Sequence, residues 1–170
     1  MLISSKRSKF LFLTNSNDYY MVNFMIQDVQ AKRQTFRDKC FQCGLKMTPQ
    51  RSAIYDELLK AQDHPSADDL YKRVRKVLPN ISFDTVYRTL LSFSETGIVR
   101  LVEGYGELKR FDPDIDNHHH LHCVQCQKII DFCNQSYDAL KIPTEFEKEF
   151  TVLNKRVVLE GLCKECARKG

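Results

Sequence analysis

The sequence predicts an α+β chain in two parts: a run of helices ending in a short hairpin, then a small α/β module rich in cysteine and histidine. Three observations carry this. Caps for three successive helices are legible before residue 100, strand-like runs follow it, and two CxxC pairs, Cys123/Cys126 and Cys163/Cys166, bracket the second part with 36 residues between them. The length of 170 residues suits one ordinary domain or two small ones. With 42% hydrophobic residues and only 6 Gly and 5 Pro, the chain is neither disordered throughout nor collagen-like. No apolar run approaches the ~20 residues that span a bilayer, so no membrane partner is expected. A basic patch (Lys6, Arg7, Lys9) precedes Phe10–Leu13, but this run is too short for a secretion signal and no small-residue cleavage site follows. The chain is therefore expected in the cytoplasm. Thiols stay reduced there, and its seven cysteines point to metal ligands rather than disulfides.

Residues 1–24 show no hydrophobic period and read as a disordered leader, with Met21 and Met25 as alternative starts. Residues 25–111 form the first domain. Composition is helical from Gln27 to Cys43, and Gly44 is a natural stop. Thr48 caps a helix that opens on Pro49 and turns Ile54, Leu58 and Leu59 to one side. Ser66 caps the next, with Asp68 and Asp69 in its first turn; Leu70, Tyr71, Val74, Val77 and Leu78 form its face, and Pro79 ends it. Ser82 caps another, whose Phe83, Val86, Leu90 and Phe93 make an apolar stripe closed by Gly97. Ile98–Val102 and Lys109–Phe111 then form a hairpin around Gly104-Tyr105-Gly106.

Helices closed by a hairpin are the plan of a winged helix-turn-helix. Opposite the stripe of the last helix lie Asp84, Thr85, Tyr87, Arg88 and Ser92, so one face can pack while the other enters a major groove. Tyr87 and Arg88 are the candidates for base edges, with Thr85 and Asp84 beside them; Arg51, Lys72 and Arg73 are candidates for phosphates. The charge agrees. Residues 1–100 carry 16 Lys+Arg against 10 Asp+Glu, whereas residues 101–170 carry 10 against 12. A basic first part suits a double-stranded DNA partner.

In the second domain, residues 112–170, strands are expected over His118–Cys123, Lys128–Phe132 and Thr151–Leu159, helices near Ser136–Leu140 and Pro143–Phe150, and a hinge near Pro113. The paired CxxC motifs offer four soft thiolates, Cys123, Cys126, Cys163 and Cys166, which suit a closed tetrahedral Zn2+ site of structural kind. A second constellation is Asp112, the His-rich run from His118 to His122, and Asp131. On a strand, His118, His120 and His122 share one face and His119 takes the other. Imidazole with carboxylate suits Fe(II), Mn(II) or Zn(II). His64, just before Pro65, reads on its own as a loop residue. No His-Glu-x-x-His or comparable catalytic pattern is present, so an enzyme is not expected.

Met47-Thr-Pro-Gln-Arg51, His64-Pro-Ser-Ala-Asp-Asp-Leu-Tyr71, Asp84-Thr-Val-Tyr-Arg88, Arg110-Phe-Asp112, the His-rich strand and the CxxC pairs, in that order, resemble the ferric uptake regulator (Fur) family over about residues 27–168. Within it the chain is most similar to the peroxide-responsive branch. The resemblance implies a homodimeric, metal-dependent DNA-binding repressor whose second domain dimerises. It implies a regulatory Fe2+ or Mn2+ held by His64, Asp112, His118, His120 and Asp131, with His64 and His118 sensitive to oxidation. Two aspartates, where iron-uptake regulators usually carry glutamates, favour that branch; an iron- or zinc-uptake regulator of the family is the alternative. A further metal site of relatives would fall on Asn117, His119, Asp138 and Lys155, and Asn117 and Lys155 are poor ligands. Cys133 is a departure, as is a third CxxC, Cys40/Cys43. On a helix those two share a face and read as core thiols, with a redox or metal role as the alternative.

Overall fold

The computed structural model describes residues 18–61, 63–102 and 109–169. The chain opens with α1 (Asp18–Gln42), α2 (Pro49–Lys60), α3 (Ala67–Val74) and α4 (Phe83–Glu95), followed by β1 (Arg100–Val102) and β2 (Arg110–Asp112). It continues as β3 (His119–Cys123), β4 (Ile129–Phe132), α5 (Gln135–Asp138), α6 (Thr144–Glu147), β5 (Val158–Gly161) and α7 (Lys164–Ala167). Helix α1 begins inside the segment read as a leader. No Gly or Pro occurs between Asp18 and Phe24 to stop it. The rest of that segment, residues 1–17, lies outside the described residues, as does the expected turn at Gly104–Gly106.

The caps act where the sequence puts them. The Thr48 hydroxyl accepts from Arg51 N at 3.2 Å and that of Ser82 from Thr85 N at 3.1 Å. Ser66 forms a full capping box with Asp69. Each cap fixes a helix start at about 1 kcal/mol. Between them the helices enclose one apolar core. Phe36 of α1 stacks on Tyr55 of α2 with ring centroids 3.9 Å apart, and Phe93 of α4 meets both edge-on at 5.3 and 6.2 Å. Ile54, Leu58, Leu70, Val74, Val86 and Leu90 are fully buried around them. Such packing, rather than helix propensity, supplies most of the stability.

Three expectations need correcting here. Helix α3 stops at Val74, five residues before Pro79, because its last turn tightens: Lys76 N bonds to Arg73 O and Val77 N to Val74 O. Val77 is consequently exposed. Phe83 does not join the core stripe. As the first residue of α4 it projects past the end of the core, stacks on Tyr87 at 6.0 Å and meets Tyr71 edge-on at 5.7 Å. The third strand is shorter than expected. Only Val158–Gly161 pair, since β3 presents just His120–Cys123 to them.

Strands β1 and β2 pair antiparallel, Arg100 opposite Asp112. The second sheet has the order β4-β3-β5, with β4 antiparallel to β3 and β5 parallel to it. Its register sets His120 opposite Asp131, and Leu121 beside both Ile130 and Leu159. Cross-strand neighbours share a face, so His120 and Asp131 lie on one face while Leu121, Ile130 and Leu159 lie on the other. Replacing Phe93 by Ala should cost ~3–5 kcal/mol in chemical denaturation, whereas Phe83→Ala should cost less than ~1 kcal/mol.

Candidate metal centres

Five side chains from four places converge. His64 comes from the turn before α3, Asp112 from the end of β2, His118 from just before β3, His120 from β3 itself, and Asp131 from β4. One ligating atom of each lies within 4.8 Å of all the others. His64 Nε2 is 2.8 Å from Asp131 Oδ1 and 3.8 Å from Asp112 Oδ2. His118 Nε2 is 2.9 Å from Asp112 Oδ2, and His120 Nε2 is 3.5 Å from Asp131 Oδ1. His64, Asp112, His118 and His120 are all at most 5% exposed, while the Asp131 side chain is 26% exposed with its inward-facing Oδ1 buried.

The hydrogen bonds aim these groups inward. His118 Nδ1 lies 2.9 Å from Asp116 O, a carbonyl that can only accept, so Nδ1 carries the proton and the neutral ring keeps its Nε2 lone pair for the cluster. That Nε2 sits 3.0 Å from His120 Nε2. Asp112 Oδ1 accepts from Asp114 N at 2.7 Å, leaving Oδ2 directed at the histidines. Asp116 N in turn donates to Asp114 Oδ1 at 2.9 Å, so the 112–116 segment read as a hinge is tied by two consecutive side-chain-to-backbone bonds. Burial and the neighbouring rings of His118 and His64 push the His120 pKa down to about 4. Burial also disfavours the charged form of His118, but the Asp112 carboxylate outweighs it and raises its pKa. Asp131, despite its burial, is lowered by the His64 ring. Two buried carboxylates and three rings with converging lone pairs form the donor set of a hard or borderline divalent cation.

The four cysteines also meet, their sulfurs within 4.8 Å of one another. Cys123 ends β3, Cys126 sits in the turn it leads, and Cys163 and Cys166 flank the start of α7, a short helix not foreseen from the sequence. Gln127 in that turn adopts φ +62°, and its N–H returns to Cys123 O at 2.9 Å. Backbone N–H groups of Cys126 and Cys163 lower the Cys123 thiol to about 6. Burial and the other three sulfurs push Cys166 up to about 12. Four thiolates cannot all ionise together without a cation, and this tetrad suits zinc.

The remaining sequence candidates are dispersed. His122 turns aside to Gln127 Oε1 at 3.2 Å. His119 is fully buried against Phe132 and Tyr137 on the opposite side of β3, as alternation requires. Asn117 donates to Asp138 Oδ1 at 3.1 Å, His119 Nε2 lies 3.4 Å from that oxygen, and Lys155 turns away to Leu140 O. Cys40 is a core thiol, but Cys43, beyond the last turn of α1, is exposed, and so is Cys133. On α4, Asp84 and Arg88 are exposed and form an i,i+4 pair at 3.7 Å, and Thr85 and Tyr87 are half-buried. Arg51 is anchored to Lys46 O, Lys72 pairs with Asp68, and Arg73 grips both carboxylate oxygens of Asp63. One contributor escaped sequence reasoning. Arg110 donates to His64 O at 3.1 Å, and its place in the Arg-Phe-Asp motif was the only signal.

A winged-helix part joined to a metal-binding sheet by a shared ligand cluster defines a metal-dependent regulator. The chain belongs to the ferric uptake regulator family, whose profile matches residues 42–160. It is 36% identical over 127 residues to the peroxide-responsive repressor PerR of Staphylococcus epidermidis, covering 75% of this chain and 85% of that one. It is 37% identical over 128 residues to PerR of Staphylococcus aureus, covering 75% and 86%. Among solved structures, a zinc-bound manganese uptake regulator aligns with TM-score 0.60 at 30% identity over 76% of this chain and 98% of that one. The ferric uptake regulator of Francisella tularensis with iron aligns with TM-score 0.63 at 25% identity, over 73% and 96%. That of Helicobacter pylori shares the fold, with TM-score 0.67 at 22% identity, over 81% and 93%.

Acid should weaken metal binding at the five-residue cluster. His118, raised above its ordinary 6.5, keeps its proton in the metal-free protein up to that raised value, and the stability this proton contributes is lost as pH rises through it. His120, lowered to about 4, instead withdraws stability as pH falls from 6.5 towards 4. A cation must displace the His118 proton. Titration with Mn(II) from about pH 8 to about pH 6 should therefore show apparent affinity falling, by up to ~10-fold per pH unit, with the decline starting above 6.5.

Proposed function

We propose that the chain is a cytoplasmic, homodimeric transcriptional repressor that grips double-stranded DNA when its regulatory site is filled and releases it after peroxide. The observation that carries this reading is the five-ligand cluster with aspartate at both carboxylate positions, drawn from both parts of the chain. The likeness to two peroxide-responsive repressors at 36% and 37% identity supports it. Zn2+ would occupy the Cys123, Cys126, Cys163 and Cys166 tetrad and fix the fold of the second part. Fe2+ or Mn2+ would be held by His64, Asp112, His118, His120 and Asp131.

His64 belongs to the helical part and His118, His120 and Asp131 to the sheet, so a filled cluster favours one relative orientation of the two. In a dimer that orientation sets the spacing of two α4 helices against successive half-sites. The exposed Leu121 and Ile130, side by side with Leu159, offer an apolar face for the second copy. Fe2+ held by these five residues would supply one-electron redox chemistry towards peroxide with no net change in the iron, peroxide itself being the two-electron oxidant of a coordinating ring, whereas Mn2+ would supply the clamp without that chemistry. Oxygen addition to His64 or His118, with water as the other product, removes a ligand and frees the two parts.

An uptake regulator is the second reading, favoured by the manganese and ferric uptake regulators at 30% and 25% identity. Operator gel shifts with Fe(II) and Mn(II), before and after peroxide, separate the two. A peroxide sensor loses DNA only in the Fe(II)-loaded form, and mass spectrometry then finds one added oxygen on a peptide holding His64 or His118. DNA binding unaffected by peroxide with either metal sinks the peroxide reading.

On DNA, Tyr87 and Arg88 would meet base edges with Asp84 and Thr85 beside them, while Arg51 lies along phosphate. The Asp84–Arg88 pair presets the guanidinium for a base. Arg88→Ala should cost ~1–3 kcal/mol of discrimination at one base position, read by competition among single-base variants of the operator. Equal weakening on every sequence contradicts direct readout.

A further inference from the structure

His64 holds a backbone conformation that its sequence opposes. Its φ is +47°, in the left-handed region uncommon for residues other than glycine, and it precedes a proline, which biases it towards extended backbone. Such a conformation persists only where surrounding structure over-determines it. That structure is strand β2. Phe111 N donates to Pro65 O at 3.1 Å, and Arg110 bridges Ser66 in an isolated antiparallel pair. The Arg110 guanidinium completes the grip, with Nη1 3.1 Å from His64 O and 3.5 Å from Asp63 O. Asp63 is itself held by both terminal nitrogens of Arg73, which lowers its pKa and keeps the turn charged and fixed.

We propose that Arg110 is a positioning residue for the regulatory metal: by bonding the His64 carbonyl it holds the left-handed backbone that aims His64 Nε2 at Asp131 and Asp112. The proposal rests on reading the five-residue cluster as the regulatory metal site. Arg110 and Asp112 alternate on the same strand, so β2 delivers one ligand to the cluster directly and sets a second through the backbone. Removing the guanidinium lets the 63–64 turn relax towards extended backbone, which swings the ring away from the carboxylates. Ordering His64 then has to accompany metal binding, and affinity drops even though no ligand has been changed.

The test measures Mn(II) affinity, from the electron paramagnetic resonance signal of free Mn(II), for zinc-loaded wild type, Arg110→Ala, Arg110→Lys and His64→Ala. Zinc content and the melting temperature of the Mn-free proteins are recorded alongside. Arg110→Ala should bind Mn(II) about 10-fold or more weaker while keeping its zinc and its metal-free melting temperature. Arg110→Lys keeps one donor and should recover part of the loss. Wild-type affinity in a folded Arg110→Ala, with His64→Ala weakened, overturns the positioning role alone. Unchanged affinity in His64→Ala as well overturns the regulatory-site reading beneath it. If Arg110→Ala does not fold, Arg110→Lys decides: weaker binding than wild type supports the role, and equal binding overturns it.

Discussion

The structure turns on a crowding problem. Within 4.8 Å of one another it gathers two carboxylates and three imidazoles, four of the five residues being almost wholly buried. These groups meet in close pairs, His64 with Asp131 at 2.8 Å and His118 with Asp112 at 2.9 Å. The His118 and His120 rings turn nitrogens towards each other at 3.0 Å, and burial together with the neighbouring His118 and His64 rings pushes the His120 pKa down to about 4. Buried charge is costly even when paired, and a single divalent cation would meet the whole set at once. The thiolate tetrad poses a similar problem with a different reach. Its four members lie on β3, the turn after it and the α7 start, so relief there is local to the sheet. The histidine cluster draws on the turn before α3 and on β2 as well, so its occupancy is felt by the helical part.

Much of this was legible in the sequence, for identifiable physical reasons. Thr48, Ser66 and Ser82 are caps because a side-chain oxygen one position before a helix has free N–H groups to meet, a purely local rule. The tetrad follows from two CxxC spacings and the shared face of His118 and His120 from strand alternation, whereas the full five-ligand set came only from the family resemblance. What stayed hidden depended on tertiary context. The spacing of Phe83 matches the stripe of α4, yet a first-turn residue lies beyond the core it would join. Nothing local announces that α3 tightens at Val74, or that β5 can be no longer than the part of β3 left to pair with it. The grip of Arg110 on His64 joins residues 46 apart in sequence, and no periodicity encodes it.

The α4 surface illustrates how function and packing divide one helix. Val86, Thr89, Leu90 and Phe93 face inward, leaving Asp84 and Arg88 to solvent on the other side. The aromatic trio Tyr71, Phe83 and Tyr87 fills the shoulder between α3 and α4. Arg73, by contrast, is spent on Asp63 and is unavailable to a distant anion without breaking a two-pronged ion pair.

Strand β3 is hydrogen-bonded along both edges and carries opposite chemistries on its two sides, His120 among the ligands and Leu121 among the aliphatics. A slip of one residue would swap them, emptying the cluster and turning His119 or Leu121 towards the ligands in place of His120. The turn from Val124 to Lys128, which joins β3 to β4 in that register, is therefore where a one-residue change of length shifts the alignment, whereas the irregular stretch from Thr151 to Arg156 can change length without touching it.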